Sequence, residues 1–111
     1  MGQYHKVYNI DKQEYINPHG INNGLKLLEQ VGHDLSTSTA LFLLLANSNG
    51  RGGGDVRDHD LVGSWAGNRV VVQGDYADEL DNGFVSDREI EGYKDISNDV
   101  FNMLRSTMEG I

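Results

Sequence analysis

"STSTALFLLLA", residues 36–46, is the stretch on which the fold turns. Ser36, Thr37, Ser38 and Thr39 offer hydroxyls to the amides of a first helical turn. The residues that follow are apolar on every side, and "NSNG", residues 47–50, is a stop. Such a segment is either a helix buried all round or an inner strand. The cap and the stop favour the helix, and its position makes it the expected centre of the core.

Upstream, "QYHKVY" (residues 3–8) alternates Tyr4, Lys6 and Tyr8 with His5 and Val7, and "EYIN" (14–17) follows "NIDKQ". That is a β-hairpin with a polar turn at Asn9–Lys12. Pro18 and Gly20 then mark a loop, and Gly24 opens "LKLLEQ", a helical turn or short strand. Downstream, Val70, Val71 and Val72 are a strong strand signal behind Gly67-Asn68. "VGSW", residues 62–65, is therefore either the first arm of a hairpin or the lead into a sharp bend. Residues 75–92 are acidic and turn-rich, a surface loop with one short element. In "KDISNDVFNMLRSTMEG" (94–110), Ile96, Val100 and Met103 form one line and Phe101, Leu104 and Met108 the next, at helical spacing. Asp95 or Ser97 serves as cap and Gly110 as stop. The predicted architecture is a single α+β domain, residues 1–111: a small antiparallel sheet covered by two helices.

Charge is placed unevenly. Residues 1–74 carry seven acidic against six basic side chains, and residues 75–111 carry ten against three, so nearly all of the net −8 lies in the last third. Direct nucleic-acid binding wants the opposite sign, whereas an acidic face suits a basic protein partner. Without cysteine, thiolate chemistry and disulfides are excluded. The opening "MGQYHKVYNI" has no secretory apolar stretch, and the longest apolar run, residues 40–46, falls far short of the roughly 20 residues that span a bilayer. A soluble cytoplasmic protein with no membrane partner is expected.

"NGRGGGDVRDHD", residues 49–60, sets four glycines among two arginines and three aspartates. Gly52, Gly53 and Gly54 would let backbone amides approach an anion, and Arg51 and Arg57 would neutralise it. The string lacks the ending of a P-loop and the strand before a dinucleotide motif, so the alternative is a helix cap and a flexible turn. Asp55, Asp58, His59 and Asp60 bring one imidazole among carboxylates, but in no EF-hand or two-histidine zinc spacing; a solvated turn is the plainer reading. Trp65 beside Arg69 could sandwich a planar ligand or be a core tryptophan. Asp75, Asp78 and Asp81 recur without a nucleophile to serve. His5, His19 and His33 stand isolated, with no Gly-x-Ser-x-Gly elbow in the chain.

Taken together, "MGQY", "VYNIDKQEYINPH", "GLKLLE", "NGRGGGD", "VGSWAGNRVVVQGDYAD" and "YKDIS" resemble a family of short, largely uncharacterised proteins encoded by prokaryotes and by phages or other mobile elements. The resemblance spans residues 1 to about 97. It implies that the glycine loop, Asp55, Trp65, Arg69, Asp75, Tyr76 and Asp78 belong to one recurring pattern, and that a counter-defence role fits a phage setting. Members carry Asp where this chain has Asn68.

The expected function is non-enzymatic binding of an anionic, nucleotide-like small molecule. Arg51, Gly52, Gly53, Gly54, Asp55, Arg57, Trp65, Arg69, Asp75 and Tyr76 form the site, with no cofactor and no metal, and homo-oligomers are possible. The alternatives are an acidic inhibitor or adaptor of a host defence protein, and a metal-assisted hydrolase using Asp55, Asp58, His59, Asp75 or Asp78.

Overall fold

The computed structural model describes residues 4–21, 36–47 and 59–109. The segment "LKLLEQ" and the glycine loop through Asp58 lie outside them. In chain order the elements are β1 (His5–Asn9), β2 (Glu14–Ile16), a 3-10 turn (Pro18–Gly20), α1 (Thr37–Leu45), β3 (Val70–Gly74), α2 (Asp87–Ile90), β4 (Lys94–Asp95) and α3 (Ser97–Glu109). This is an α+β fold in which the described residues form a four-stranded sheet in the order β3-β1-β2-β4.

The hairpin forms in the register Val7↔Ile16, Tyr8↔Tyr15, Asn9↔Glu14. Its turn is closed by Asn9, whose carbonyl accepts from Gln13 N (3.0 Å) and whose Oδ1 accepts from Lys12 N (2.9 Å). Gln13 takes a left-handed φ of 56° to complete it. The helix beginning at Thr37 has Ser36 as its N-cap, Oγ accepting from Thr39 N. Its C-terminal end is satisfied from afar: Gly63 N donates to Leu43 O and Trp65 N to Leu44 O, both at 2.9 Å. Residues 60–67 are thus a run of turns that caps α1. They do not form the hairpin arm that was one of the two expectations for "VGSW". Gly67, at φ 81°, supplies the sharp bend into β3.

Two expectations need correcting. The sheet is mixed: β4 runs parallel to β2, with Lys94 N donating to Gln13 O and Ile96 N to Tyr15 O. After β3 the chain passes through α2 and reaches the far side of the hairpin already pointing along β2, so no reversal precedes the pairing. Second, α1 is not buried all round. Ala40, Leu43 and Leu44 are buried, but Phe42 is 78% exposed.

One face of the sheet carries the core, where Val7 and Ile16 meet Ala40, Leu43 and Leu44 of α1, Trp65, and Ile96, Val100, Met103 and Leu104 of the α3 segment. That packing confirms the helical lines read from the last segment for Val100, Met103 and Leu104. Asp95 caps α3, its Oδ1 accepting from Ser97 N at 2.9 Å and from the Ser97 hydroxyl. On the other face Tyr8 packs against Tyr15 (ring centroids 5.6 Å apart) and edge-on to Tyr93 (6.2 Å). The Gln73 side chain pins the returning chain there, donating to Val85 O and accepting from Val85 N, each at 2.8 Å.

Candidate functional site

β1 runs antiparallel to both its neighbours, so its first residues lie beside the last residues of β2 and β3. Around that end of the sheet is a pocket of about 480 Å³. β1 and the residue before it contribute Tyr4, His5, Lys6 and Tyr8; the turn after β2 contributes Asn17 and His19. Gly74, Asp75 and Ala77 come from the end of β3, and Phe84, Asp87 and Ile90 from the segment crossing the tyrosine face.

Each wall is held by bonds that the sequence alone does not suggest. Ser97 Oγ accepts from Asn17 N at 2.6 Å, tying the 3-10 turn to the start of α3, and Asn17 Oδ1 accepts from His19 N at 3.1 Å. A Cβ on Gly20 would lie 3.0 Å from the Ser97 Cβ, so a larger residue fits here only if Ser97 shifts. Opposite, Tyr4 N donates to Asp75 Oδ1 (3.2 Å) while Asp75 N donates to Tyr4 O (2.8 Å). Ser86 caps α2 in a capping box with Glu89, which holds Asp87 in the first turn. Lys6 Nζ lies 6.0 Å from the Tyr15 ring centroid, a cation–π arrangement. Burial, reinforced by Tyr15 and Asp87, pushes the Tyr8 phenol above its ordinary value. It stays a neutral hydroxyl with a proton to donate. The pocket therefore combines a lysine, two imidazoles and phenolic hydroxyls with an apolar side of Phe84, Ile90 and Ala77, and two carboxylates at Asp75 and Asp87.

Of the residues predicted from sequence that lie among the described ones, only Asp75 lines this pocket. Arg51, Gly52, Gly53, Gly54, Asp55 and Arg57 lie outside the described residues. Trp65 is 0% exposed, and its indole Nε1 donates to Glu14 Oε1 at 2.8 Å. It is the core tryptophan of the plainer reading and presents no face to a ligand. Arg69 is at the opposite end of the sheet on Asp11: Nε and Nη2 donate to Oδ1 at 2.9 and 2.8 Å, and its backbone N donates to Oδ2 at 2.7 Å. These bonds from Arg69 hold the Asp11 carboxyl below the usual carboxylate range. Tyr76 is 67% exposed. His59 Nδ1 accepts from Leu61 N at 3.1 Å, and among the described residues no three His, Asp or Glu side chains converge as a metal cluster would require. Asn68 Oδ1 accepts from Asn9 Nδ2 at 3.1 Å, a role that an aspartate oxygen at this position would fill equally well.

Sequence reasoning missed His5, Lys6, Asn17 and His19. A signal existed: continuing the hairpin register past Val7↔Ile16 sets Tyr4 opposite His19. Among the described residues, no helix is long and apolar enough to cross a membrane. Comparison with protein-family models, curated proteins and solved structures finds no match to this chain.

Proposed function

We propose that this chain is a non-enzymatic small-molecule-binding protein acting in the cytoplasm, and that its ligand is a small anionic, nucleotide-like compound seated at the sheet end. In this reading α1 and α3 are the two-helix cover of one sheet face, leaving the strand ends to the ligand. The observation that carries the proposal is the convergence of His5, Lys6 and His19 on one cavity of about 480 Å³ with an aromatic and aliphatic side. Ligand sites are commonly about 300–1,000 Å³, apolar in the main, with a few convergent polar groups. Lys6 and the imidazoles supply donors for an anion, and Phe84 supplies a ring face for a planar group. Asp75 already accepts a backbone amide, which offsets part of its charge locally. In a phage setting, sequestration of a small signal would serve counter-defence.

Native mass spectrometry of the protein as purified from cells, beside a denatured control, tests this. A bound small mass that disappears in Lys6→Ala and His19→Ala supports the proposal; a clean apo spectrum with no stabilisation by nucleoside phosphates overturns it.

One observation favours a second reading, an acidic inhibitor or adaptor of a host protein. Leu80 is 87% exposed and Tyr76 67%, amid Asp75, Asp78, Glu79 and Asp81. Leu80 sits in a turn set by Asp78 Oδ1 on its amide and by Asp81 Oδ2 on the amide of Asp78, both at 2.9 Å. Capture of a basic partner that weakens steeply with salt and is lost in Leu80→Ala would support it. Salt-independent capture would count against it.

A further inference from the structure

Among the described residues β3 is an edge strand of the sheet. Its bonds to β1 are bracketed by Ile10 N donating to Arg69 O (2.9 Å) and Asp75 N donating to Tyr4 O (2.8 Å), in the register Val7↔Val72. In an antiparallel ladder the bonded residues alternate. Arg69, Val71, Gln73 and Asp75 therefore turn their backbone groups toward β1, and Val70, Val72 and Gly74 turn theirs outward. The Gly74 carbonyl accepts from Ala77 N at 3.1 Å. Among the described residues nothing bonds the outward amides and carbonyls of Val70 and Val72, and Val72 is 40% exposed. A β-branched edge with unbonded backbone groups is a template for another strand.

We propose that a second copy of this chain pairs with β3 antiparallel about a two-fold axis at Val72, joining two sheets into one of eight strands. The charges at the ends of the strand select the partner and the register. With Val72 opposite its counterpart, Arg69 of each copy stands opposite Asp75 of the other, so both ends of the contact carry opposite charges. Arg69 and Asp75 occupy alternate positions of the strand and share a sheet face. Arg69 uses Nε and Nη2 on Asp11 Oδ1, and a guanidinium has five N–H donors. Asp75 uses Oδ1 on Tyr4 N, so its second oxygen can accept the partner's Arg69. Shifting the axis to Val71 sets Arg69 against Gln73 and Asp75 against Gly67, which loses both ion pairs. A self-complementary strand of this kind is what a two-fold interface requires. Asp75 also lines the sheet-end pocket, so the same register sets the partner's Arg69 at its rim. The dimer stands without the ligand reading.

A five-residue edge buries little area, so the dimer is weak and depends on concentration. Sedimentation equilibrium of the full chain from roughly 10 μM to 1 mM should show monomer giving way to dimer, with no larger species. Val72→Lys sets two ammonium groups against each other at the axis and should leave monomer throughout, with an unchanged circular dichroism melt. Asp75→Asn keeps an acceptor for Tyr4 N and should raise the dissociation constant about 3- to 10-fold. Because the chain has no cysteine, single-cysteine variants report the register directly. Oxidation should link Val72→Cys to itself efficiently and Val71→Cys poorly. A wild-type protein that stays monomeric to 1 mM, or cross-linking strongest at position 71, overturns the proposal.

Discussion

The two ends of the sheet are built from similar residue types and put to different uses. At the hairpin-turn end every notable polar side chain is engaged within the fold. Asn9, buried in full, accepts from Lys12 N and donates to Asn68; Arg69 grips Asp11; the Trp65 indole is bonded to Glu14. At the opposite end Tyr4, His5, Lys6, His19, Asp75 and Asp87 surround an open volume. The contrast teaches that a residue's type does not mark it as functional. Arg69 and Trp65 look like ligand residues in sequence, and the tertiary structure uses them to close the turn end. The histidines look incidental, and the structure gathers them.

The largest test of this contrast is Trp65→Ala. It removes the biggest fully buried side chain and leaves Glu14 without its indole partner, and should cost about 3–5 kcal/mol in urea unfolding. Asn9→Ala at the same end should cost roughly 2–3 kcal/mol, because Lys12 N and Asn68 lose their partner. Asn68→Asp, which keeps the acceptor, should stay within about 0.5 kcal/mol of the parent. At the pocket end, His19→Ala should likewise move stability by no more than about 0.5 kcal/mol while abolishing the bound mass. A stability loss as large as that of Asn9→Ala would erase the difference between the ends.

Titration sharpens the comparison further. The Asp11 carboxyl is held low by Arg69, so the pair contributes stability above the ordinary carboxylate value of 3.8 and loses it as pH falls through the lower folded value. Arg69→Ala should return the Asp11 NMR titration to the ordinary range. Tyr8 moves the other way: its folded value is raised by burial, so its contribution is intact below the ordinary 10.0 and is lost as pH climbs from there toward the folded value. Tyr8→Phe should flatten that alkaline limb. A small gain is expected from Gln13→Gly, which relieves a left-handed φ of 56° and should add at most about 1 kcal/mol, offset by backbone entropy in the unfolded chain.

Local chemistry was legible in the sequence where it acts locally. Ser36 before an apolar run, Asp95 before a helical stripe, and the alternation through Tyr4–Tyr8 each name an element, because caps and periodicity are properties of neighbouring residues. The candidate site was mostly not legible. Of its lining residues only Asp75 was singled out for the ligand, because the rest are brought together by pairing of β1 with both β2 and β3 and by the returning segment, with Tyr4 and Asp75 71 positions apart.

What the amino-acid sequence determined by itself is the set of elements: the first hairpin, the apolar α1, the valine strand and the amphipathic α3. It also determined the charge gradient that places almost all of the net −8 after residue 74. Tertiary structure alone decided that residues 60–67 cap α1, that β4 enters parallel to β2, and that Trp65 belongs to the core while His5 and His19 share a cavity. The physical reason is range. Propensity and capping are settled within a few residues of the chain, whereas ladder hydrogen bonds and burial are settled by which distant segment satisfies an exposed backbone group or covers an apolar face.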